Sequence, residues 1–479
     1  MTHAHFVGIG GSGLSAIARL LNELGYQVSG SDQILSPLAA ALKKDNIQVT
    51  IGHFKENVIG ADFVVRSSAV QDDNPEVVAA HASGIPVYKR ADFLGQLMAP
   101  PAKNGIAIAG THGKTTTTAM IAWTLDQLGA NPSFIIGGIS KNFGVNARAG
   151  KGKEFVIEAD EYDRMFLGLK PRYEVVTNIE HDHPDIYPTP SDFFAAFKDF
   201  SNLIPENGGL IFCAEDPGAN KLSVEAARMG KRVIGYRIAE KNQTYPGETL
   251  LAKNLIPNQT GGFSFEVEVQ MVDFPNTAAD VQLILPGLHN VRNSLATLGI
   301  TCLLGYPLES AALALSKFKG TGRRFEIKGE VDNIVVIDDY AHHPTEIRAT
   351  IEAARVKFPS RRLWVVWQPH TYSRVQTLYQ EFTTAFDGAD QVIVSEIYAA
   401  REPYQNFSAI QVVSKLKHPS ARFIPTVEKI SEYLISNLKS GDVLVVMSAG
   451  DADQISRNIL KSLKTNIANK KGQVQNGKK

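Results

Sequence analysis

The chain has 479 residues, of which 44% are hydrophobic and 20% are charged, as is ordinary for a globular protein. Its 49 basic residues balance its 49 acidic ones, which argues against a nucleic-acid partner or an anionic membrane surface. The two cysteines, Cys213 and Cys302, are too few for a disulfide framework and favour a reducing cytoplasm.

The length predicts roughly three domains. Blocks of alternating strands and helices can be placed at 1–99, 100–321 and 322–465, and the polar tail at 466–479 is expected to be disordered. We find neither a signal peptide at the start nor an apolar run long enough to span a bilayer. These features favour a cytoplasmic α/β protein without a membrane partner.

The first block opens with a predicted strand over 5–9 that runs into a GxGxxG cluster at 8–13, followed by an amphipathic helix. Asp32 ends the next strand, an arrangement typical of a dinucleotide fold in which the acid binds a ribose hydroxyl. The motif alone leaves open NAD, a UDP-linked substrate, or a tight turn without a ligand. The candidate diphosphate-binding residues are Gly10, Gly11, Ser12, Gly13 and Asp32.

The second block begins with a predicted strand over 106–109, a glycine-bearing loop and a helix that opens with Lys-Thr. Loop amides and a helix N-terminus face an anion, the lysine adds a point charge, and the threonine hydroxyl can hold Mg²⁺. A strict GxxxxGK[ST] motif would have glycine where this chain has Ile108. The predicted ATP-binding residues here are Gly110, Thr111, His112, Gly113, Lys114, Thr115 and Thr116.

Polar residues end two further strands of this block. The acids Glu158, Asp160, Glu161 and Asp163 follow a strand over 155–157 and favour Mg²⁺ over a solvated acidic turn. His181 and His183, interleaved with carboxylates, follow a strand over 174–177 and suit a second cation. Zinc is possible in principle, but this His-x-His spacing has no completed tetrahedral partner set nearby. Alternation over 263–269 predicts a small antiparallel addition to a mostly parallel sheet.

The third block contains predicted strands over 334–337, 363–367, 391–394 and 443–447 that alternate with helices. Polar turns follow the first two of these strands, and two arginines, Arg323 and Arg324, precede the block's first strand. Because the carboxyl ends of parallel strands share one edge, these turns are expected to face a common cleft. Each turn residue on its own is equally well explained as an ordinary loop residue.

These motifs together resemble the Mur ligase family, the ATP-dependent amide ligases of peptidoglycan precursor assembly. The matching segments are 8–13, 110–116, 158–161, 178–183, 289–293, 323–325 and 338–345, in family order over most of the chain. The resemblance implies three α/β domains. They are a Rossmann-like N-terminal domain for the UDP moiety, a P-loop central ATPase-type domain with a mostly parallel sheet, and a Rossmann-like C-terminal domain that closes over both.

Residue roles follow from the same resemblance. Lys114 would contact the ATP phosphates and act in catalysis, Thr115 and Glu158 would hold one Mg²⁺, and His183 a second. The remaining implied ATP contacts are His289, Asn290, Asn293, Arg324 and Asp339. His343 and Arg374 would be catalytic residues near the muramoyl carboxylate and the incoming amine, and Ser68 would join the UDP site.

The members most similar to this chain join L-alanine to UDP-N-acetylmuramate through an acyl phosphate, so the resemblance implies those two substrates, with ATP and Mg²⁺. It also implies a monomer or weak homodimer. Two residues depart from the alanine-adding pattern: Thr371 replaces an arginine common there, and Tyr162 resembles the murein-tripeptide-recycling ligase. The alternatives are therefore that recycling ligase, an NAD-dependent oxidoreductase, and a regulatory nucleotide-binding module.

Overall fold

Three β-sheets organise the residues that the computed structural model describes, which are 1–99, 103–240 and 243–476. Each sheet is mostly parallel and carries helices on its faces, so the prediction of a three-domain α/β fold is confirmed. None of the described helices is long and apolar enough to cross a membrane.

The N-terminal domain is a five-stranded parallel sheet. Its strands are β1 (His3–Val7), β2 (Gln27–Asp32), β3 (Gln48–Ile51), β4 (Phe63–Arg66) and β5 (Val87–Lys89). Its helices are α1 (Ser12–Glu23), α2 (Pro37–Lys44), α3 (Pro75–Ala82) and α4 (Arg90–Leu97), with a short 3-10 helix at Lys55–Val58. The strand order β3-β2-β1-β4-β5 reverses at β1, so ligands are expected outside the carboxyl end of that strand.

The central domain is built on a ten-stranded sheet. Its strands are β6 (Asn104–Ala109), β7 (Ser133–Ile135), β8 (Ala147–Arg148), β9 (Glu154–Glu158), β10 (Tyr173–Val176), β11 (Gly209–Cys213), β12 (Arg232–Ile238), β13 (Thr249–Pro257), β14 (Phe263–Met271) and β15 (Phe274–Gln282). Its helices are α5 (Lys114–Gln127), α6 (Pro190–Ser201), α7 (Pro217–Arg228), α8 (Leu288–Leu303) and α9 (Leu308–Leu315), with a 3-10 segment at Tyr162–Gly168.

The order of this sheet is β15-β14-β13-β12-β11-β10-β6-β9-β7-β8. Strands β14 and β15 form the predicted antiparallel addition, and buried residues alternate along β14 with partly exposed ones. The central strands β6 and β10 are apolar because helices cover both of their faces. Their carboxyl ends meet at one edge, which places the phosphate loop next to the polar turn after β10.

The C-terminal domain has a six-stranded sheet. Its strands are β16 (Glu326–Val331), β17 (Ile334–Asp339), β18 (Leu363–Gln368), β19 (Gln391–Val394), β20 (Ala421–Phe423) and β21 (Val443–Ser448). Their order in the sheet is β16-β17-β21-β18-β19-β20. Its helices are α10 (Pro344–Lys357), α11 (Tyr372–Thr377), α12 (Tyr379–Phe382), α13 (Ala409–Val413), α14 (Val427–Asn437) and α15 (Asp453–Asn476).

The last helix differs from the sequence-based expectation of a disordered tail at 466–479. Helix α15 continues to Asn476, and residues 477–479 lie outside the described part of the chain. Its first half is anchored because Ile455, Ile459 and Leu463 pack in the core beside α14. A helix that is already nucleated adds further turns at little cost, which the polar composition of the tail does not reveal.

Candidate active site

The phosphate loop lies between β6 and α5, as the sequence predicts. Gly110 has a φ of 133°, and a Cβ built on it would lie 2.1 Å from the Thr177 hydroxyl oxygen. Gly113 has a φ of 84° and precedes the first turn of α5. Both positions therefore require glycine. Ile108, which replaces the first glycine of the strict motif, is a fully buried residue within β6, so the loop itself begins only at Gly110.

Lys114 is held at the floor of this loop by a buried carboxylate. Its Nζ donates to Glu161 Oε1 at 2.8 Å and to the Gly110 carbonyl at 2.5 Å. Burial by itself lowers the pKa of Lys114, but Glu161 outweighs it, so the pKa is raised. Glu161 is 1% exposed, and its Oε2 has no hydrogen-bond partner among the described residues. The lysine is thus a charged donor placed where an anion would sit.

Oxygen ligands for a hard cation lie beside the first turn of α5. Thr115 Oγ1 donates to Glu158 Oε1 at 3.0 Å, and the Gly137 amide donates to Glu158 Oε2 at 2.7 Å. Burial raises the pKa of Glu158, although Lys114 partly opposes the effect. A nearby cation would stabilise this buried carboxylate, and hydroxyl and carboxylate oxygens are ligands that Mg²⁺ accepts. The residues present therefore fit a magnesium ion.

His183 follows the polar turn after β10 and lies against the same acidic cluster. Its Nε2 is 3.6 Å from Glu161 Oε1 and 3.8 Å from Asp182 Oδ2. Burial alone would lower the pKa of His183, but the charges of Asp182 and Glu161 outweigh burial, so the pKa is raised. Of the four acids predicted together, Asp163 is exposed and Asp160 pairs with Arg90 at 3.7 Å. Only Glu158 and Glu161 face the loop lysine and threonine.

A cavity of about 440 Å³ opens beside the phosphate loop, between the central and C-terminal domains. This volume is in the range of small-molecule sites. It is lined by predicted ATP-binding residues from distant parts of the chain: His112, Gly113, Thr115, Thr116, His289, Asn290, Asn293, Arg324 and Asp339. The other three such residues, Gly110, Thr111 and Lys114, belong to the same loop without lining the cavity.

His289 and Asp339 are two of the cavity-lining groups whose pKa values are strongly shifted. Burial, aided by Arg292 and Arg324, lowers the pKa of His289 to about 4, so its ring is neutral at pH 7. Burial raises the pKa of Asp339 to about 6, although Arg324 opposes the shift. Asp339 also accepts hydrogen bonds from the Phe325 and Ala341 amides, which tie down the start of the C-terminal domain.

Polar contacts join the central domain to the C-terminal domain. Arg374 binds Asp182 through two hydrogen bonds, Nε to Oδ1 at 2.8 Å and Nη2 to Oδ2 at 3.2 Å, and both residues are 4% exposed. His112 lies between Glu180 and Glu346, at 3.0 Å and 3.2 Å. Burial alone lowers the pKa of His112, but those two carboxylates raise it to about 9. The two domains are therefore held in contact by buried charges.

His343 sits at this same interface, immediately before α10. Its Nδ1 accepts from the Thr345 amide at 3.3 Å, which caps the helix. Burial, followed by the charge of His112, lowers the pKa of His343 to about 4. Its Nε2 has no hydrogen-bond partner among the described residues. Because Nδ1 accepts the amide, the proton of the neutral ring lies on Nε2, and the ring can accept a further proton only at Nδ1.

The glycine turn of the N-terminal domain is held by the acid that the sequence assigns to a ribose. Asp32 Oδ2 accepts from the Gly10 amide at 2.8 Å, and Ser36 Oγ donates to the Gly10 carbonyl at 3.0 Å. Asp32 thus contributes to the turn itself. Gly11 precedes α1, Ser68 is exposed, and the side chain of Ser12 lies outside the described residues.

Known sequences and structures are similar to this chain along its length. Residues 3–100 match "Mur ligase family, catalytic domain", residues 108–301 match "Mur ligase middle domain", and residues 323–450 match "Mur ligase, glutamate ligase domain". The chain belongs to the Mur ligase family. A UDP-N-acetylmuramate–L-alanine ligase from Solidesulfovibrio magneticus is 41% identical over 466 residues, covering 96% of this chain and 97% of that protein.

Solved Mur ligase structures share the whole fold. The UDP-N-acetylmuramate–alanine ligase of Thermotoga maritima has a TM-score of 0.76 at 29% identity, covering 97% of this chain and all of that one. A murein peptide ligase from Psychrobacter arcticus has a TM-score of 0.69 at 26% identity, covering 97% of this chain and 99% of that one. These likenesses confirm the family assignment made from the motifs.

Several residues at the sites of this Mur ligase were not anticipated. Glu215 and Asp216 line the cavity just after β11, and Glu215 pairs with Arg292 at 2.8 Å. Arg90 covers the glycine turn so closely that a Cβ on Gly13 would lie 1.8 Å from its Nη1. The sequence did contain a signal for Glu215, Asp216 and Arg90, because each of these charged residues comes soon after a predicted strand. Glu346 had no comparable signal, since it lies within α10.

The two residues that depart from the alanine-adding pattern lie close to the interdomain contacts. The Tyr162 hydroxyl donates to Asp185 Oδ2 at 3.2 Å, and the Arg401 guanidinium lies 4.0 Å from the centre of the Tyr162 ring. Thr371 has a φ of 62°, which is strained for a β-branched residue, and its amide donates to the Tyr398 carbonyl at 2.9 Å. Tyr162 and Thr371 therefore both make specific contacts in the region around Arg374.

Proposed function

We propose that this Mur ligase joins L-alanine to the lactyl carboxylate of UDP-N-acetylmuramate, with conversion of ATP to ADP and phosphate. The observation that carries the proposal is a nucleotide-sized cavity with a phosphate loop at one end, walled by both the central and the C-terminal domain. The relatives named for this reaction match the chain over nearly its whole length. The two free cysteines, Cys213 and Cys302, support a cytoplasmic setting.

The first chemical step activates an unreactive carboxylate. A lactyl oxygen attacks the γ-phosphorus of ATP, the bond from that phosphorus to the bridging oxygen of ADP breaks, and an acyl phosphate forms. Lys114 is placed to neutralise charge on the transferred oxygens. Mg²⁺ held by Thr115 and Glu158, with a second ion at His183, would supply further charge neutralisation. Asp339 and Arg324 would bring the C-terminal domain onto the nucleotide.

The second step forms the amide. The unprotonated amine of L-alanine attacks the acyl carbon, and phosphate leaves as the new bond forms. His343 would accept the amine proton at Nδ1, because its imidazole is neutral and its contact with the Thr345 amide is long, 3.3 Å. Arg374 would orient the reacting carboxylate by exchanging part of its contact with Asp182. Contact between the domains would keep water away from the acyl phosphate.

On the N-terminal domain, the UDP moiety would bind at the switch point beyond β1. The amides of the first turn of α1, which follows Gly10 and Gly11, would face the diphosphate, as helix N-termini do. Ser68 would lie at the rim of this site. Arg90, which lies over Gly13, adds a cation at the same place.

A phosphate-release assay with a panel of amines tests the proposal. With ATP, Mg²⁺ and UDP-N-acetylmuramate present, L-alanine should release phosphate faster than glycine, L-serine or the L-alanyl-γ-D-glutamyl tripeptide. Faster release with the tripeptide would assign the chain to peptide recycling instead. Release that does not depend on any amine, or saturable NADH binding by fluorescence, would contradict the ligase proposal as a whole.

A further inference from the structure

Nitrogen and oxygen donors from two domains converge beside the phosphate loop. His112 comes from the loop, Glu180 from the turn after β10, and His343 from the segment before α10. One donor atom from each of the three residues lies within 4.8 Å of the other two. His112 Nε2 is 3.0 Å from Glu180 Oε2, and His343 Nδ1 is 3.9 Å from the same oxygen.

Further side chains hold these donors in place. Glu346 Oε1 is 3.2 Å from His112 Nδ1, the ring nitrogen that faces away from Glu180. The Thr345 hydroxyl donates to Glu180 Oε1 at 2.8 Å, which leaves Oε2 toward the two histidines. A carboxylate on the far nitrogen of a histidine and a hydrogen bond to a ligating carboxylate are the supporting contacts that metal sites use.

The third residue, His343, is buried beside this pair. His343 is 1% exposed, yet its Nε2 has no hydrogen-bond partner among the described residues. Because Nδ1 accepts the Thr345 amide at 3.3 Å, Nε2 carries the proton of the neutral ring, and the nitrogen open to a metal is Nδ1 after that contact is exchanged. The centres of the His112 and His343 rings are 4.6 Å apart, and His343 Nδ1 already faces the carboxylate that His112 contacts.

We propose that His112, Glu180 and His343 form an interdomain site for a divalent transition-metal ion of the Zn²⁺ class. Two imidazoles and one carboxylate are a donor set that zinc accepts, whereas Mg²⁺ prefers oxygen ligands alone. Zinc bonds of about 2.0–2.2 Å in a tetrahedron place neighbouring donors roughly 3.4 Å apart. The observed separations of 3.0 Å and 3.9 Å lie on either side of that value.

This site is distinct from the oxygen-rich pair Thr115 and Glu158, which suits magnesium. The fourth position of the tetrahedron would be taken by water. Binding would displace the proton that His112 shares with its carboxylates. Because the ligands come from both domains, the ion would link the central domain to the C-terminal domain. If the proposed function holds, it would also occupy the proton acceptor His343 and so inhibit the ligase.

The test is calorimetric titration of the tag-free full-length chain with zinc chloride, without nucleotide or UDP-sugar. We expect one zinc ion per chain. His112→Asn and Glu180→Gln should each weaken binding by at least about tenfold, the lower end of what loss of even a supporting contact costs. The matched controls are His81→Asn, an exposed histidine on α3, and Glu158→Gln in the magnesium pair. Both controls should bind zinc as the wild type does.

Two further measurements distinguish the loss of a metal ligand from misfolding of a variant. Far-ultraviolet circular dichroism establishes that each variant is folded, and diffraction from wild-type crystals at the zinc absorption edge locates the ion directly. An anomalous peak between the three side chains supports the site, and a peak elsewhere overturns it. Unchanged affinity in both ligand variants also overturns it. No substrate is present, so these outcomes are independent of the ligase assay.

Discussion

At the scale of single residues, Lys114 and Glu161 depend on each other for their charge. The pair is buried at the floor of the phosphate loop, and the second oxygen of Glu161 has no partner among the described residues. An ammonium next to a buried carboxylate is stable, whereas either charge alone in that place is costly. Stability and catalysis therefore both rest on Lys114, and a single substitution cannot separate the two.

Two variants together separate the contribution of Lys114 to stability from its contribution to catalysis. Lys114→Ala should abolish ATP-dependent phosphate release and lower the free energy of unfolding by about 3–5 kcal/mol, because Glu161 is left buried and unpaired. Lys114→Ala combined with Glu161→Gln should recover much of that stability without recovering activity. Denaturant unfolding and phosphate release measure the two effects. Near-normal turnover in either variant would contradict the phosphate-loop assignment, and UDP-sugar binding should persist in both.

At the scale of elements, the turn from β6 to α5 depends on a glycine that packs against a neighbouring strand. A methyl group on Gly110 would meet the Thr177 hydroxyl at 2.1 Å and the Asn178 backbone at 3.0 Å. Gly129, just after the same helix, also has a positive φ, 82°, but nothing lies within 4 Å of the position its Cβ would take. The two positions therefore share backbone strain and differ in steric contact.

Gly110→Ala should weaken ATP binding at least about tenfold, or about 1.4 kcal/mol, because the clash displaces the loop amides. Gly129→Ala is the matched control and should bind ATP as the wild type does, with only a stability cost from the backbone. Titration calorimetry with ATP and Mg²⁺ measures both. Equal losses of affinity in the two variants would show that strain rather than the clash with β10 is responsible.

The central strand β10 carries a carboxyl group that the proposed chemistry does not use. Glu174 is fully buried, and neither side-chain oxygen has a hydrogen-bond partner among the described residues. Burial raises its pKa well above the ordinary value of 4.5, although Lys231 opposes the shift. The folded chain therefore retains a proton that the unfolded chain releases above pH 4.5. The protein therefore loses stability as the pH rises from about 4.5 toward the raised pKa of Glu174, because only the folded chain still holds the proton there.

Glu174→Met should raise the free energy of unfolding at pH 8 by about 1–3 kcal/mol, the cost of a buried polar group without partners. The gain should be smaller at pH 5, where the unfolded chain also holds part of the proton. Urea unfolding at the two pH values provides the comparison. Glu206→Met, at an exposed glutamate of the same domain, is the control and should show little change. A gain that does not depend on pH would contradict the raised pKa.

At the scale of the whole molecule, the sequence predicts the motifs within each domain but not the side-chain contacts between domains. Strand ends with polar residues identified the phosphate loop and the acids near it, because each of those groups follows a recognisable local pattern. The contact between Asp182 and Arg374 joins residues 192 positions apart, and that between His112 and Glu346 joins residues 234 apart. Such pairs arise from the packing of folded domains, so no local pattern encodes them.

Within the domains, the structure adds two features for different reasons. The Asp332-Asn333 turn joins β16 to β17 with both residues at positive φ, a two-residue hairpin signal that the sequence contains. Asp32, predicted to bind a ribose hydroxyl, also accepts the Gly10 amide, because the following loop folds back over the glycine turn, and its ribose contact stays a prediction. Local patterns place a residue near a site, and tertiary contacts decide which atom it binds.

The interdomain contact itself yields the last prediction. Asp182→Asn removes the carboxylate that pairs with Arg374 and leaves a buried guanidinium without its counter-charge, which costs about 3–5 kcal/mol in comparable buried pairs. The C-terminal domain should therefore separate more readily from the central domain. Backbone amides in 339–346 and 110–116 should exchange with deuterium faster, whereas those in 1–99 should be unaffected. Asp185→Asn is the control, since its pair with Arg401 is half-exposed and contributes about 0–1 kcal/mol. Equal exchange in Asp182→Asn and the wild type would show that this ion pair does not hold the two domains together.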